Sequence, residues 1–219
     1  MFLYEAFFHN EGKTRFKCTI KFNNEIIECY VPCSCKISKL YELKEDQPVL
    51  ITSNSLKEAK LKFSLIAIGT QKKNILLNPL LSNYAYKNYL QSKKIEAKSE
   101  FQIDRYRADF FVEAKNEIIE VKSILSDKAA VLFPQVHSSR FISQLKEILL
   151  LLEKKYKCTL LLSVLNPNIK KVLLDNSKPE GNLIKQCIGK GLKINLLNCI
   201  LDNNNIPIMR KSKTTLIYN

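Results

Sequence analysis

Asp109, Glu120 and Lys122 are the residues of this sequence whose types and spacing point to chemistry. They lie in two apolar runs, 108–112 and 118–124, where a charged side chain needs a partner or a purpose. Two carboxylates that converge, with an ammonium beside them, suit a hard divalent cation that polarises a phosphodiester and activates water. The ammonium can orient that water or offset negative charge as it develops. The motif Glu-x-Lys does not select this place by itself, because it starts at Glu11, Glu42, Glu58, Glu96, Glu113, Glu120 and Glu153. Only the copy at Glu120 sits inside an apolar run with a second, Asp-bearing apolar run just upstream. An exposed hairpin with a cross-strand Asp109–Lys122 ion pair fits the same pattern and is the plainer alternative.

The element that must position these groups is a hairpin. Two runs rich in Phe, Val and Ile flank a polar break at Lys115-Asn116, as paired antiparallel strands do. If that break is a two-residue loop, Ala114 pairs with Glu117, Phe111 with Glu120 and Asp109 with Lys122. The three polar groups then share one face, and a slip of one residue would scatter them.

Around the hairpin the chain reads in two parts. Up to about residue 75 the pattern is mostly strand-like, with strands at 16–22 and 25–31 joined by Asn23-Asn24, whose side chains tolerate the positive φ of a tight turn. Further strands at 49–52 and 61–68 and a short helical piece at 37–43 complete a set that fits a five-stranded barrel. Phe7, Phe8, Phe16 and Tyr30 lie near Lys13, Arg15 and Lys17. Aromatics so placed can stack on bases, although core packing is the expected task for most of them. Asn78-Pro79 then opens a helix that runs to about residue 91, followed by a polar continuation that leads to Glu100. After the hairpin come a short strand at 131–134 and a helix from Ser138 or Ser139 to about Lys157, with Ile142, Leu145, Ile148, Leu149, Leu152 and Tyr156 at helical spacing. A buried-type strand at 158–165, a helix at 183–188 and a strand at 193–201 follow, and the basic stretch 209–213 reads as a frayed end. Strands alternating with helices after a hairpin predict helices packed on a mixed sheet.

Composition narrows the partners. The 219 residues hold 35 Lys and Arg against 21 Asp and Glu, a net charge of +14 that favours a polyanion. A general drift toward Lys, Asn and Ile would raise the count as well. Up to Asn83 there are 12 basic and 8 acidic residues, and after it 23 and 13, so the part with the hairpin is the more basic. No apolar run approaches the length of a membrane span, and the start Met-Phe-Leu-Tyr-Glu is not that of a secretory signal. Seven cysteines at irregular spacing point to reduced thiols and a cytoplasmic location. Cys29, Cys33 and Cys35 lack the second ligand pair a zinc site would need. With five glycines and no Gly-Lys-Ser/Thr loop, a nucleotide cofactor is not expected. His9 and His137 belong to no nucleophile motif, which disfavours Ser-His and Cys-His hydrolases.

Arg107-Ala-Asp109-Phe-Phe, Ile119-Glu120-Val-Lys122-Ser123, Phe133-Pro134, Arg140 and Leu145-Lys-Glu147-Ile, in that order and spacing, resemble the C-terminal half of the sugar fermentation stimulation protein family. Thr14-Arg15-Phe16, Val31-Pro32 and Asn78 resemble its N-terminal half. The resemblance implies an OB-like β-barrel over 1–77 and a PD-(D/E)xK nuclease-like domain over 78–219, a mixed sheet flanked by helices. It implies catalysis by Asp109, Glu120 and Lys122, Mg²⁺ or Mn²⁺ on Asp109 and Glu120, and Gln135 in the cleft; Glu100 is either a third carboxylate of the metal site or a surface residue. Arg15, Lys17, Arg107 and Arg140 are the expected nucleic-acid contacts. The sequence departs from the family's pattern at Pro32-Cys33-Ser34-Cys35, which replaces Pro-Asn-Thr-Gly, and at Gln135, which replaces Asp; Phe141 and Gln144 stand for a Gly and a His. Two functions are therefore expected: a metal-dependent nuclease acting on DNA or RNA, or a non-catalytic, DNA-binding regulatory protein that keeps the nuclease scaffold.

Overall fold

The computed structural model describes residues 1–33, 35–54, 60–70 and 74–218. Ser34 of the Cys33–Cys35 departure and Glu58 of the repeated motif lie outside them.

The first strands, β1 (Tyr4–Glu11), β2 (Lys17–Phe22) and β3 (Glu25–Tyr30), form a meander. Asn23 and Asn24 turn between the last two with φ of 51° and 62°, the left-handed values asparagine tolerates. β4 (Pro48–Ser53) returns beside β1, and β5 (Phe63–Gly69) beside β4. Tyr30 pairs with Ser64, which joins β3 to β5 and closes an OB-like barrel of five strands. Cys18, Ile20, Cys29, Val49 and Leu65 of its strands are buried in one apolar cluster. The helical piece expected over 37–43 is a single 3-10 turn, Ile37–Lys39.

β6 (Asn74–Leu76) pairs with β5 and leads to α1 (Leu80–Ser92). Asn78 Oδ1 accepts from the Leu80 N–H at 3.0 Å, so the Asn-Pro start of the helix acts as its residue types predict. The polar continuation after the helix contains a strand, β7 (Lys98–Ile103), which pairs with β8 (Tyr106–Val112), and β8 in turn with β9 (Glu117–Ile124). β10 (Ala130–Phe133) ends at a cis Phe133–Pro134 bond. α2 (Ser139–Glu153) is capped by Ser138 Oγ, which accepts from the Phe141 N–H at 3.2 Å. It stops short of Lys157, because Lys155 turns left-handed at φ 68° and Lys157 already belongs to β11 (Lys157–Val164). β12 (Lys171–Leu174), α3 (Pro179–Gly189), β13 (Lys193–Leu201), β14 (Pro207–Lys211) and β15 (Thr215–Ile217) complete the chain. The basic stretch at 209–213, expected to fray, instead enters β14 on the edge of the sheet, with Met209 opposite Cys199.

The second sheet is mixed, in the order β14-β13-β11-β9-β8-β7, with β9, β11 and β13 parallel. A small parallel sheet, β10-β12-β15, stands beside it. Of the parallel strands, β9 and β11 are covered on both faces, as their largely apolar sequences require, while β13 is mostly half-exposed. Ile119, Val121 and Leu161 pack into one cluster with α1 and the barrel interior, and Ile118, Ile124 and Leu160 pack into another with Leu145 and Ile148 of α2 and Ile184 of α3. Among the described residues no helix is long and apolar enough to cross a membrane.

Candidate metal centre and cleft

β8 and β9 form a hairpin with a wider turn than the sequence suggests. Glu113–Lys115 makes a 3-10 turn and Asn116 is left-handed at φ 46°. Val112 therefore pairs with Glu117, Phe111 with Ile118 and Phe110 with Ile119, two residues away from the expected register. A shift of two keeps every side chain on the face it had, so the grouping of polar residues survives the error.

Beyond Phe110–Ile119 the two strands cease to pair. Ala108 packs with the α2 core while Phe110 packs with the α1 core, so β8 changes face around Asp109. Opposite this point Glu100 has φ 51°, and the β7–β8 ladder passes from Ser99–Phe110 to Phe101–Ala108 without a bridge between Glu100 and Asp109. Where the β8–β9 ladder stops, the Asp109 carboxylate takes over a backbone role: its Oδ2 accepts from the Val121 N–H at 2.7 Å. Its Oδ1 accepts from Asn83 Nδ2 on α1 at 3.0 Å. The fork opens a cavity of about 480 Å³.

Asp109, Glu120 and Lys122 all lie on the wall of this cavity. Glu120 is only 2 % exposed. Lys122 Nζ donates to its Oε1 and the Tyr106 hydroxyl to its Oε2. Lys122 thus bonds its own strand neighbour, not Asp109, and its ammonium also lies 5.0 Å from the Phe141 ring centre. Burial raises the Glu120 carboxyl above its ordinary value of 4.5, with Lys122 pulling down and Asp109 pushing up. Tyr106 is buried, and desolvation reinforced by Glu120 pushes its hydroxyl far above the ordinary range. It is a neutral donor at any physiological pH.

The other expected site residues divide. Arg140, in the first turn of α2, and Gln135 line the same cavity. Gln135 spends its amide on the backbone: Oε1 accepts from the Leu125 N–H at 3.2 Å and Nε2 donates to the Leu125 carbonyl. It shapes the wall without presenting an acid. Glu100 does not join Asp109 and Glu120 on the cavity lining. It is exposed and pairs with Arg107 at 2.7 Å, because the turn of β7 at this residue directs both away from the cavity lining. The same pair removes Arg107 from the cleft. Lys17 pairs with Glu28 on the outside of the barrel, and Arg15 lies over the Phe16 ring at 4.6 Å, next to the cavity and not on its lining. Residues that sequence reasoning missed are Asn83 and Tyr106. Asn83 carried a faint signal, an asparagine inside a helix where its propensity is poor. Tyr106 carried none, since a tyrosine in a strand reads as packing.

The comparisons with known proteins bear on this site. Residues 71–205 match the family model described as the sugar fermentation stimulation protein RE domain. The chain belongs to the sugar fermentation stimulation protein family. The matched stretch runs from just before β6 into the loop after β13 and contains every residue of the carboxylate–lysine group. Family homologues from Thermosipho melanesiensis and Ruminiclostridium cellulolyticum are each 23% identical to it, the first over 203 residues (92% of this chain, 90% of that one) and the second over 216 (94% and 95%). The solved structure of Pyrococcus furiosus SfsA in complex with Ca²⁺ superposes with a TM-score of 0.82 at 17% identity, covering 98% of this chain and 96% of that one. Barrel and mixed sheet together are thus the family's architecture.

Proposed function

We propose that this member of the sugar fermentation stimulation protein family is a metal-dependent nuclease that cleaves phosphodiester bonds of DNA or RNA. The observation that carries this reading is the convergence of Asp109, Glu120 and Lys122 on one cavity, with Arg140 on the same lining. The donor set fits a hard cation. Among the described residues no three of the metal-ligating types His, Cys, Asp and Glu cluster, so the site offers two carboxylates. Mg²⁺ and Mn²⁺ are commonly held by one or two carboxylates, with water and phosphate oxygens filling the other positions. The Pyrococcus furiosus protein was solved in complex with Ca²⁺, which supports a divalent ion in this fold.

Asp109 and Glu120 would hold the ion. When bound, such an ion polarises the phosphodiester and lowers the pKa of a bound water. The protein's own groups do the rest. Asn83 and the Val121 N–H fix the orientation of Asp109, and Tyr106 fixes that of Glu120. Lys122, tethered to Glu120 and set beside Phe141, places its ammonium where it can orient the attacking water or offset charge on the phosphate. Arg140 stands on the cavity wall as a donor to a neighbouring phosphate.

One observation favours a second reading, a nucleic-acid-binding regulatory protein without catalysis. All four oxygens of Asp109 and Glu120 already accept hydrogen bonds from the protein, and Gln135 supplies no acid. Incubating fluorescent single- and double-stranded substrates with Mg²⁺, Mn²⁺ or chelator separates the two. We expect cleavage that needs the metal and falls about 100-fold or more in Asp109→Asn and in Lys122→Ala. Salt-sensitive binding with no cleavage under any of these conditions sinks the nuclease and leaves the second reading.

A further inference from the structure

The wall of the cavity opposite β9 belongs to the barrel. Phe16, just before β2, and Tyr30, at the end of β3, both line it, together with Pro32 and Cys33. Their rings stack at 6.3 Å between centres with 18° between planes. They are held by main-chain contacts, since Lys17 is the ladder partner of Tyr30 and the Val31 N–H donates to the Phe16 carbonyl at 2.9 Å. Yet Phe16 and Tyr30 remain 41% and 37% exposed, outside the barrel core that Cys18, Ile20 and Cys29 fill. The Arg15 guanidinium covers Phe16 at 4.6 Å. Two large rings are left part-exposed on the lining of a cavity that also holds Lys122 and Arg140, beside a site suited to a polyanion.

We propose that Phe16 and Tyr30 form a stacking platform for an unpaired nucleobase, so that the cleft takes single-stranded nucleic acid in preference to continuous duplex. The inference rests on the nucleic-acid reading above for the identity of the polymer and goes beyond it in naming the strand state. An aromatic platform beside cationic groups is how barrels of this kind hold single strands without reading sequence, because every base offers a π-face. The cavity's 480 Å³ is the size of a small-molecule pocket, enough for a nucleotide unit turned out of a stack. A base inside a duplex is stacked on its neighbours and cannot present a face to the rings.

The test is binding in chelator, where no cleavage occurs, measured by fluorescence anisotropy with a single strand of roughly a dozen nucleotides and with its duplex. The wild type binds the single strand more tightly. The double variant Phe16→Ala, Tyr30→Ala loses about 5- to 100-fold in affinity for the single strand, while Phe16→Tyr, Tyr30→Phe keeps it. A strand carrying 2-aminopurine gives a readout on the unaltered protein, its fluorescence quenched on binding. Equal affinity of the wild type for strand and duplex, no binding of the strand, no quenching, or full single-strand affinity in a folded double-alanine variant overturns the platform. Cleavage in Mn²⁺ is scored separately. A single strand cut equally well by wild type and double variant ends the platform and leaves the nuclease, whereas strand binding that depends on the rings without any cleavage does the reverse.

Discussion

Glu120 shows how a few contacts decide whether a buried carboxylate can work. It is 2 % exposed, and that burial favours its neutral form; the donors from Lys122 and Tyr106 pull it back toward the charged form. Tyr106→Phe removes one of those donors with little change in shape. The variant should lose about 1–3 kcal/mol in denaturant unfolding at neutral pH, where a buried oxygen is left without its partner. It should also move the acid limb of the cleavage profile to higher pH. The sign follows from the bond, which favours the ionised carboxylate: without it, Glu120 holds its proton further above 4.5 and ionises later. An unfolding curve and a pH–rate profile that both match wild type would show that the Tyr106 contact is idle. The trio itself was legible in the sequence because charged residues in apolar strands are conspicuous. Glu100 stayed open between ligand and surface residue, because an acid beside a suspected site looks like a ligand until the backbone turn that pairs it with Arg107 is known.

At the scale of elements, the wall that carries Gln135 and Arg140 is held from behind by α3. Glu180, in its first turn, is fully buried, and its Oε1 accepts from the Ser138 N–H at 2.6 Å and from His137 Nδ1 at 2.9 Å. Gly181 lets this turn approach the loop before it, since a Cβ there would lie 1.9 Å from the Asp175 carbonyl oxygen. Burial pushes the Glu180 carboxyl up, but the N–H groups of Ser138 and of Glu180 itself, with His137, outweigh it and hold it below 4.5. A depressed carboxyl contributes stability above its unfolded value that is lost as pH falls through the folded one. Glu180→Ala should therefore cost about 1–3 kcal/mol at pH 7, with the gap from wild type closing as the pH drops below about 4.5 in thermal unfolding. A gap that stays constant with pH would mean the carboxylate's charge plays no part. Elements with strong periodicity or clear caps, such as α2 and the Asn78-Pro79 start of α1, were legible in the sequence. β7, β12 and β15 were not, because short strands with exposed or mixed faces carry no alternation and take their pairing from distant partners. The hairpin register failed by two because the turn is a 3-10 turn closed by a left-handed Asn116, which loop length alone does not reveal.

For the molecule as a whole, barrel and mixed sheet share one apolar cluster, with Val31 and Leu65 of the barrel in the same packing as Val121 and Leu161 of the sheet. The two walls of the cavity are thereby fixed against one another, one aromatic and one carrying the carboxylates. The surplus of +14 supplies a long-range pull on a polyanion, which weakens as salt screens it. That pull does not locate the chemistry, and neither does the family, whose architecture this chain shares over nearly its full length. On the proposed function, location depends on where a divalent ion would settle among the 21 acidic residues. A crystal of the protein soaked in Mn²⁺, with data collected to give the anomalous signal of manganese, answers this. The account predicts one strong peak within coordination distance of both the Asp109 and Glu120 carboxylates, lost in Asp109→Asn. A well-ordered cavity with no peak there, or manganese only on exposed carboxylates such as Glu100, would contradict it.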